Sequence, residues 1–175
     1  KVFCDVVNVE YAKKVESLGA DAVIAVNNRA GGHLGPMSPE ELIPLLVSNC
    51  SIPVISAGGV SDGFQLKQVL ELGACGVSIG TPFIATHEAA VSQEYKQAIV
   101  DYGADDIVVT DRVSGSKCTI INTPYVQSIS LKANWLERFL FKNKWFKKYF
   151  KMFRWFKGTK AFTESALQTT YKTVW

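Results

Sequence analysis

Short apolar runs alternate with longer amphipathic stretches over the first hundred residues. Residues 1–7 read as a strand, and residues 9–18 as a helix with Ala12, Val15 and Leu18 at helical spacing. Residues 21–26, 52–55 and 76–79 are near-continuous apolar runs too short for helices, the pattern of parallel strands buried on both faces. Between them, Ser38 followed by Pro39 and Glu41 predicts a capped helix over 39–49. Asp62 predicts another over 63–72, and a further helix is expected over 89–102. Residues 27–38, rich in Gly and Asn, read as a loop.

The joints repeat. Leu18-Gly19-Ala20-Asp21-Ala22-Val23 recurs as Leu72-Gly73-Ala74-Cys75-Gly76-Val77, and Tyr102-Gly103-Ala104-Asp105-Asp106-Ile107 echoes it again. Each copy reads as a helix end, a Gly stop and a strand start, as between successive βα units. Strict alternation predicts an α/β fold with a parallel sheet. Four strands before residue 80 predict the C-terminal half of a (β/α)8 barrel; a small doubly wound sheet is the alternative.

Two of the predicted strands end in small residues, Gly58-Gly59 after one and Gly80-Thr81 after the next. Glycine there lets backbone approach a ligand closely, with N–H groups available to an anion. One such loop is as well explained as a tight strand-to-helix turn. Two after consecutive strands predict a phosphate cradle, as found after the last two strands of such barrels. His33, in Ala30-Gly31-Gly32-His33, lies beyond the end of a predicted strand. An imidazole there could take a proton from carbon near neutral pH, or it could merely close the loop. His87 reads as a surface or capping residue opening the next helix.

Composition adds limits. The chain has 175 residues, 47% hydrophobic and 20% charged, and no apolar run suits a membrane-spanning helix. It starts abruptly on a strand-like run without Met, which suggests a piece of a longer protein. The cysteines Cys4, Cys50, Cys75 and Cys118 form no CxxC pair, so neither a metal site nor a disulfide framework is expected, and a cytoplasmic location is. Residues 132–160 carry ten of the 19 Lys and Arg against a single acid, Glu137. The body is therefore acidic, which argues against a nucleic-acid-binding core. After residue 102, strands are expected at 107–110 and 118–121, flanking a turn at 114–116.

Over 131–157 a helix is expected with Trp135, Phe139, Phe146, Tyr149, Phe150 and Phe153 on one face. Packing of that face on its own fold or a subunit partner, such as a second copy in a homodimer, is favoured over peripheral membrane contact by 132–160.

The set Gly19-Ala20-Asp21-Ala22-Val23, Ala30-Gly31-Gly32-His33, Pro53 through Val60, and Gly80-Thr81-Pro82-Phe83 with Glu88 resembles the nitronate monooxygenases. It is also similar to their relative, the flavin-dependent enoyl-acyl-carrier-protein reductase. The resemblance covers residues 1 to about 122, so 1–122 is expected to be half of a TIM barrel and 123–175 a helical, basic and aromatic extension. It implies non-covalent FMN, small-molecule substrates (a nitronate or an enoyl thioester) and dioxygen. It also implies His33 as base, Gly31 and Gly32 along the flavin, and Gly58, Gly59, Gly80 and Thr81 on its phosphate, with Ser78 and Ile79 alongside. The implied reaction is oxidation of alkyl nitronates or nitroalkanes. The alternatives are NAD(P)H-dependent reduction of an enoyl thioester and a non-catalytic module that binds a membrane or partner. The sequence departs from the family pattern in two places. Val26-Asn27-Asn28-Arg29 stands where Gln, Gly, a variable residue and Glu are usual, and Pro82 replaces an Arg.

Overall fold

The computed structural model describes residues 1–111, 116–128 and 144–167, in two compact units, 1–82 and 83–175. The first runs β1 (Phe3–Val6), α1 (Val9–Ser17), β2 (Ala22–Val26), a two-residue strand β3 (Gly32–His33), α2 (Pro39–Val47), β4 (Val54–Ala57), α3 (Gly63–Glu71) and β5 (Gly76–Ser78). Each helix begins where a short polar side chain accepts a backbone N–H. Asn8 accepts from Tyr11, Ser38 and Glu41 form a reciprocal capping box, and Asp62 accepts from Gln65.

β1, β2, β4 and β5 form one sheet in that order, and all three pairings are parallel. On one face Val6, Val23, Ala25 and Val54 meet Ala12 of α1, Leu42, Ile43 and Leu46 of α2 and Val69 of α3 in a single buried cluster. Fully burying one such aliphatic side chain contributes about 1.5–3 kcal/mol. All three helices therefore cover the same side of the sheet. A doubly wound sheet would reverse its strand order and divide its helices between both faces. Here strand order follows the chain without reversal, as in a (β/α)8 barrel. On the opposite face Phe3 and Asp5 are exposed, while Ile24, Val26, Ile55 and Ala57 are half-buried.

β4 lies two residues later than the expected 52–55, because Ser56 and Ala57, which lay beyond the expected strand, pair with Ala25 and Val26. In a parallel strand flanked on both sides, small residues serve as well as branched ones.

The turn α4 (Thr81–Ile84) spans the division between the units. The second unit holds α5 (Gln93–Asp101), a 3-10 turn at Ala104–Asp106, β6 (Ile107–Thr110), β7 (Cys118–Ile121), α6 (Pro124–Ser128) and α7 (Lys144–Leu167). β6 and β7 pair antiparallel. Tyr95, Ala98, Ile121 and Ala166 form one buried cluster and Cys118, Ile120 and Val126 another. The helix expected from residue 89 starts at Gln93, since the Ser92 side chain accepts from the Tyr95 N–H and fixes the cap there. His87 accordingly sits in a turn, where its carbonyl accepts from Lys96 Nζ at 3.4 Å, and does not open a helix.

Trp135, Phe139 and residues 114–115 lie outside the described residues. Tyr149 and Phe153, on the expected aromatic face of α7, are exposed, and so is Phe156. The aromatic face is thus not buried at these positions, whereas Ala166 of α7 belongs to the buried cluster with Tyr95, Ala98 and Ile121. No helix among the described residues is long and apolar enough to cross a membrane.

Candidate functional site

Three strands of the first unit stop at one level. Val26 is in register with Ala57, and Ala57 with Ser78, so the chain leaves the sheet side by side at Asn27, Gly58 and Ile79. The three segments singled out from sequence therefore emerge from the same end of adjacent strands, where parallel α/β folds bind ligands.

Asn27 ties two of them together. It is fully buried, its Nδ2 donates to the Gly58 carbonyl at 3.0 Å, and its Oδ1 accepts the Arg29 N–H at 2.8 Å. The loop after β2 folds back on itself through Ala30 N–H and Gly35 N–H, which donate to the Asn27 carbonyl, and Asn28 N–H, which donates to that of Met37. A side chain at Gly35 would collide with the Val26 carbonyl oxygen. The loop that carries His33 is thus clamped to the end of β2.

Gly58 (φ +108°) and Gly59 (φ +73°) both occupy the left-handed region. A Cβ on Gly58 would lie 2.5 Å from the Ala30 nitrogen, 2.6 Å from its Cα and 2.8 Å from Asn27 Oδ1. A Cβ on Gly59 would lie 2.8 Å from both Cβ and Cδ of Arg29. The two loops are packed backbone to backbone. On the other side, a Cβ on Gly31 would lie 3.5 Å from Thr81 Oγ1. The Arg29–Gly31 stretch, just before His33, consequently borders both glycine-ended turns. Gly31, His33, Gly59, Ser78, Gly80 and Thr81 are exposed, Gly58 and Ile79 are half-buried, and Gly32 (φ +73°) is buried. Around Gly80 there is open space for 4 Å beyond a Cβ position.

Two further residues belong to this end of the sheet. Arg29 Nη2 meets Glu40 Oε1 at 3.0 Å. The Glu40 carboxyl is held below the usual carboxylate range, first by its own backbone N–H, then by Ser38 and Arg29. Asn27 and Arg29 drew notice in the sequence only as departures from a family pattern. The signal for Asn27 was an amide directly after an apolar strand, but its partner lies 31 residues away. Asn27→Leu should leave the Gly58 carbonyl and Arg29 N–H unsatisfied. At about 1–3 kcal/mol per orphaned group, it should visibly lower the urea midpoint, and Asn27→Asp should lower it too, because its carboxylate would be buried facing the Gly58 carbonyl.

The family model that matches this chain is nitronate monooxygenase, over residues 2–140. A 5-hydroxy-7a-methyl-1-oxo-octahydro-1H-indene-4-carboxyl-CoA dehydrogenase of Rhodococcus jostii is 39% identical over 125 residues, 71% of this chain and 35% of the relative. A probable nitronate monooxygenase of Staphylococcus saprophyticus is 37% identical over 134 residues, 70% of this chain and 38% of the relative. Among solved structures, FabK from Thermotoga maritima superposes with a TM-score of 0.79 at 30% identity, over 98% of this chain and 51% of that one. The chain thus spans little more than a third of these curated relatives and about half of FabK.

Proposed function

This chain belongs to the nitronate monooxygenase family of flavin-dependent oxidoreductases, and from that premise we propose that it forms the phosphate-binding part of an enzyme oxidising alkyl nitronates with dioxygen on FMN. The carrying observation is that the loop leading to His33 lies against both glycine-ended turns, with Arg29 and Ala30 against Gly59 and Gly58 and Gly31 beside Thr81. The residues fit a flavin phosphate. Gly58 and Gly59 present backbone rather than side chain at the turn, and Gly80 opens onto free space. In this reading Gly58, Gly59, Gly80 and Thr81 hold the phosphate with Ser78 and Ile79 beside them, and Gly31 and Gly32 lie along the ring system.

When bound, the flavin supplies the electron transfer between nitronate and dioxygen. The protein positions the substrate and handles the proton. A neutral nitroalkane must lose its α-proton before oxidation, and the imidazole of His33 accepts it. An anionic nitronate has already lost that proton and needs no base.

The likeness to FabK and to a carboxyl-CoA dehydrogenase supports a second reading, NAD(P)H-dependent reduction of an enoyl thioester on the same flavin site. The visible spectrum of the purified protein, before and after denaturation, tests the shared premise. A flavin spectrum released into solution is expected, and its absence on reconstitution with FMN would overturn both. Anaerobic mixing then separates them. Bleaching by propyl-2-nitronate but not by NADPH is expected, whereas rapid bleaching by NADPH alone would favour the thioester reductase.

A further inference from the structure

Arg29 is braced over the Gly58–Gly59 turn from three directions. Its backbone N–H is held by the buried Asn27 side chain at 2.8 Å. Its stem lies across the bare α-carbon of Gly59, with Cβ and Cδ both 2.8 Å from where a Cβ would stand. Its guanidinium is tethered to Glu40 at 3.0 Å and remains half exposed. Glycine at position 59 thus makes room for the aliphatic stem of this arginine, whose half-exposed guanidinium is held beyond the stem by Glu40. The chemistry such a charge selects at a glycine turn is a phosphate, since guanidinium pairs two phosphate oxygens in a planar fork.

We propose that Arg29 is a phosphate-binding residue of this turn, recognising a phosphate monoester through its guanidinium while Glu40 holds it in place. The inference rests on the phosphate-cradle reading above. The phosphate can belong to the flavin or to a coenzyme A-type substrate. Both carry a phosphate monoester, FMN at its ribityl end and coenzyme A on its adenosine ribose.

Titration of the full-length protein with FMN, riboflavin and coenzyme A, followed by flavin fluorescence and calorimetry, tests it. Arg29→Gln is expected to weaken FMN about tenfold or more, the usual worth of a charge-assisted hydrogen bond. Riboflavin, which lacks the phosphate, should bind as to the wild type. Arg29→Lys, which keeps the charge but not the fork, should fall between. If FMN is unaffected but coenzyme A weakens by the same factor, the recognised phosphate is the substrate's, and the proposal stands. If neither phosphorylated ligand weakens in an Arg29→Gln protein with an unchanged melting curve, Arg29 is not a phosphate ligand. Should Arg29→Gln fail to fold, Arg29→Lys decides alone, with equal FMN and coenzyme A affinities counting against the proposal. A wild-type protein that binds FMN no better than riboflavin would instead remove the cradle itself, and this inference with it.

Discussion

Gly58→Ala is expected to destabilise the protein by about 2–6 kcal/mol and to abolish tight flavin binding. The two contributions are separable in kind. A φ of +108° puts alanine in a region that costs a non-glycine residue roughly 1–3 kcal/mol. The added methyl would also stand 2.5 Å from the Ala30 nitrogen and 2.6 Å from its Cα, and overpacking of that kind typically costs about 1–3 kcal/mol more. The obstructing atoms are backbone, so no rotamer change relieves the clash. The loop carrying His33 must shift, and the turn after β4 must shift with it. Gly76→Ala provides the control, since its methyl would meet nothing within 4 Å. It should change the urea midpoint by no more than about 0.5 kcal/mol equivalent. Equal stability and equal FMN affinity for the two alanine variants would show that the turn tolerates rearrangement and is not the rigid end of a ligand site.

His33→Ala should separate two substrates that differ by a single proton. With a neutral nitroalkane, kcat/KM should fall about 10²–10⁴-fold, the usual contribution of a positioned general base. With the preformed nitronate it should change little, because no carbon–hydrogen bond has to break to generate the oxidisable anion. Loss of both activities by the same factor would identify His33 as a structural or flavin-positioning residue instead.

The periodic core was legible in the sequence because it depends on local chemistry. Ser38 with Glu41 and Asp62 marked helix starts that the capping hydrogen bonds reproduce. The apolar runs marked four parallel strands, and the doublets Gly58-Gly59 and Gly80-Thr81 marked strand ends. What escaped was long-range. Asn27 reaches Gly58 across 31 residues, and the stem of Arg29 occupies the space that Gly59 leaves. No local pattern announces either contact.

The third copy of the Gly-Ala joint is again a helix end, a stop and a strand start, and the strands expected at 107–110 and 118–121 form as β6 and β7. After Gly103 the chain makes a 3-10 turn and enters β6, which pairs antiparallel with β7 rather than extending the parallel sheet. The Asp106 side chain accepts the Gly103 N–H there, and Asn122 N–H donates to the Asp106 carbonyl. The joint marks where a strand starts and not which partner it takes. For α7, residue spacing marked a helix but not its environment, since Tyr149, Phe153 and Phe156 are exposed.

The central claim is that the turns after β4 and β5 grip a single phosphate. A crystal structure of the protein with FMN measures this directly. The account predicts the phosphate within hydrogen-bond distance of backbone N–H groups from both the Gly58-Gly59 and the Gly80-Thr81 turns, with the ring system extending toward the Gly31–His33 segment. A phosphate that contacts only one turn, or a flavin bound elsewhere on the sheet, would contradict it.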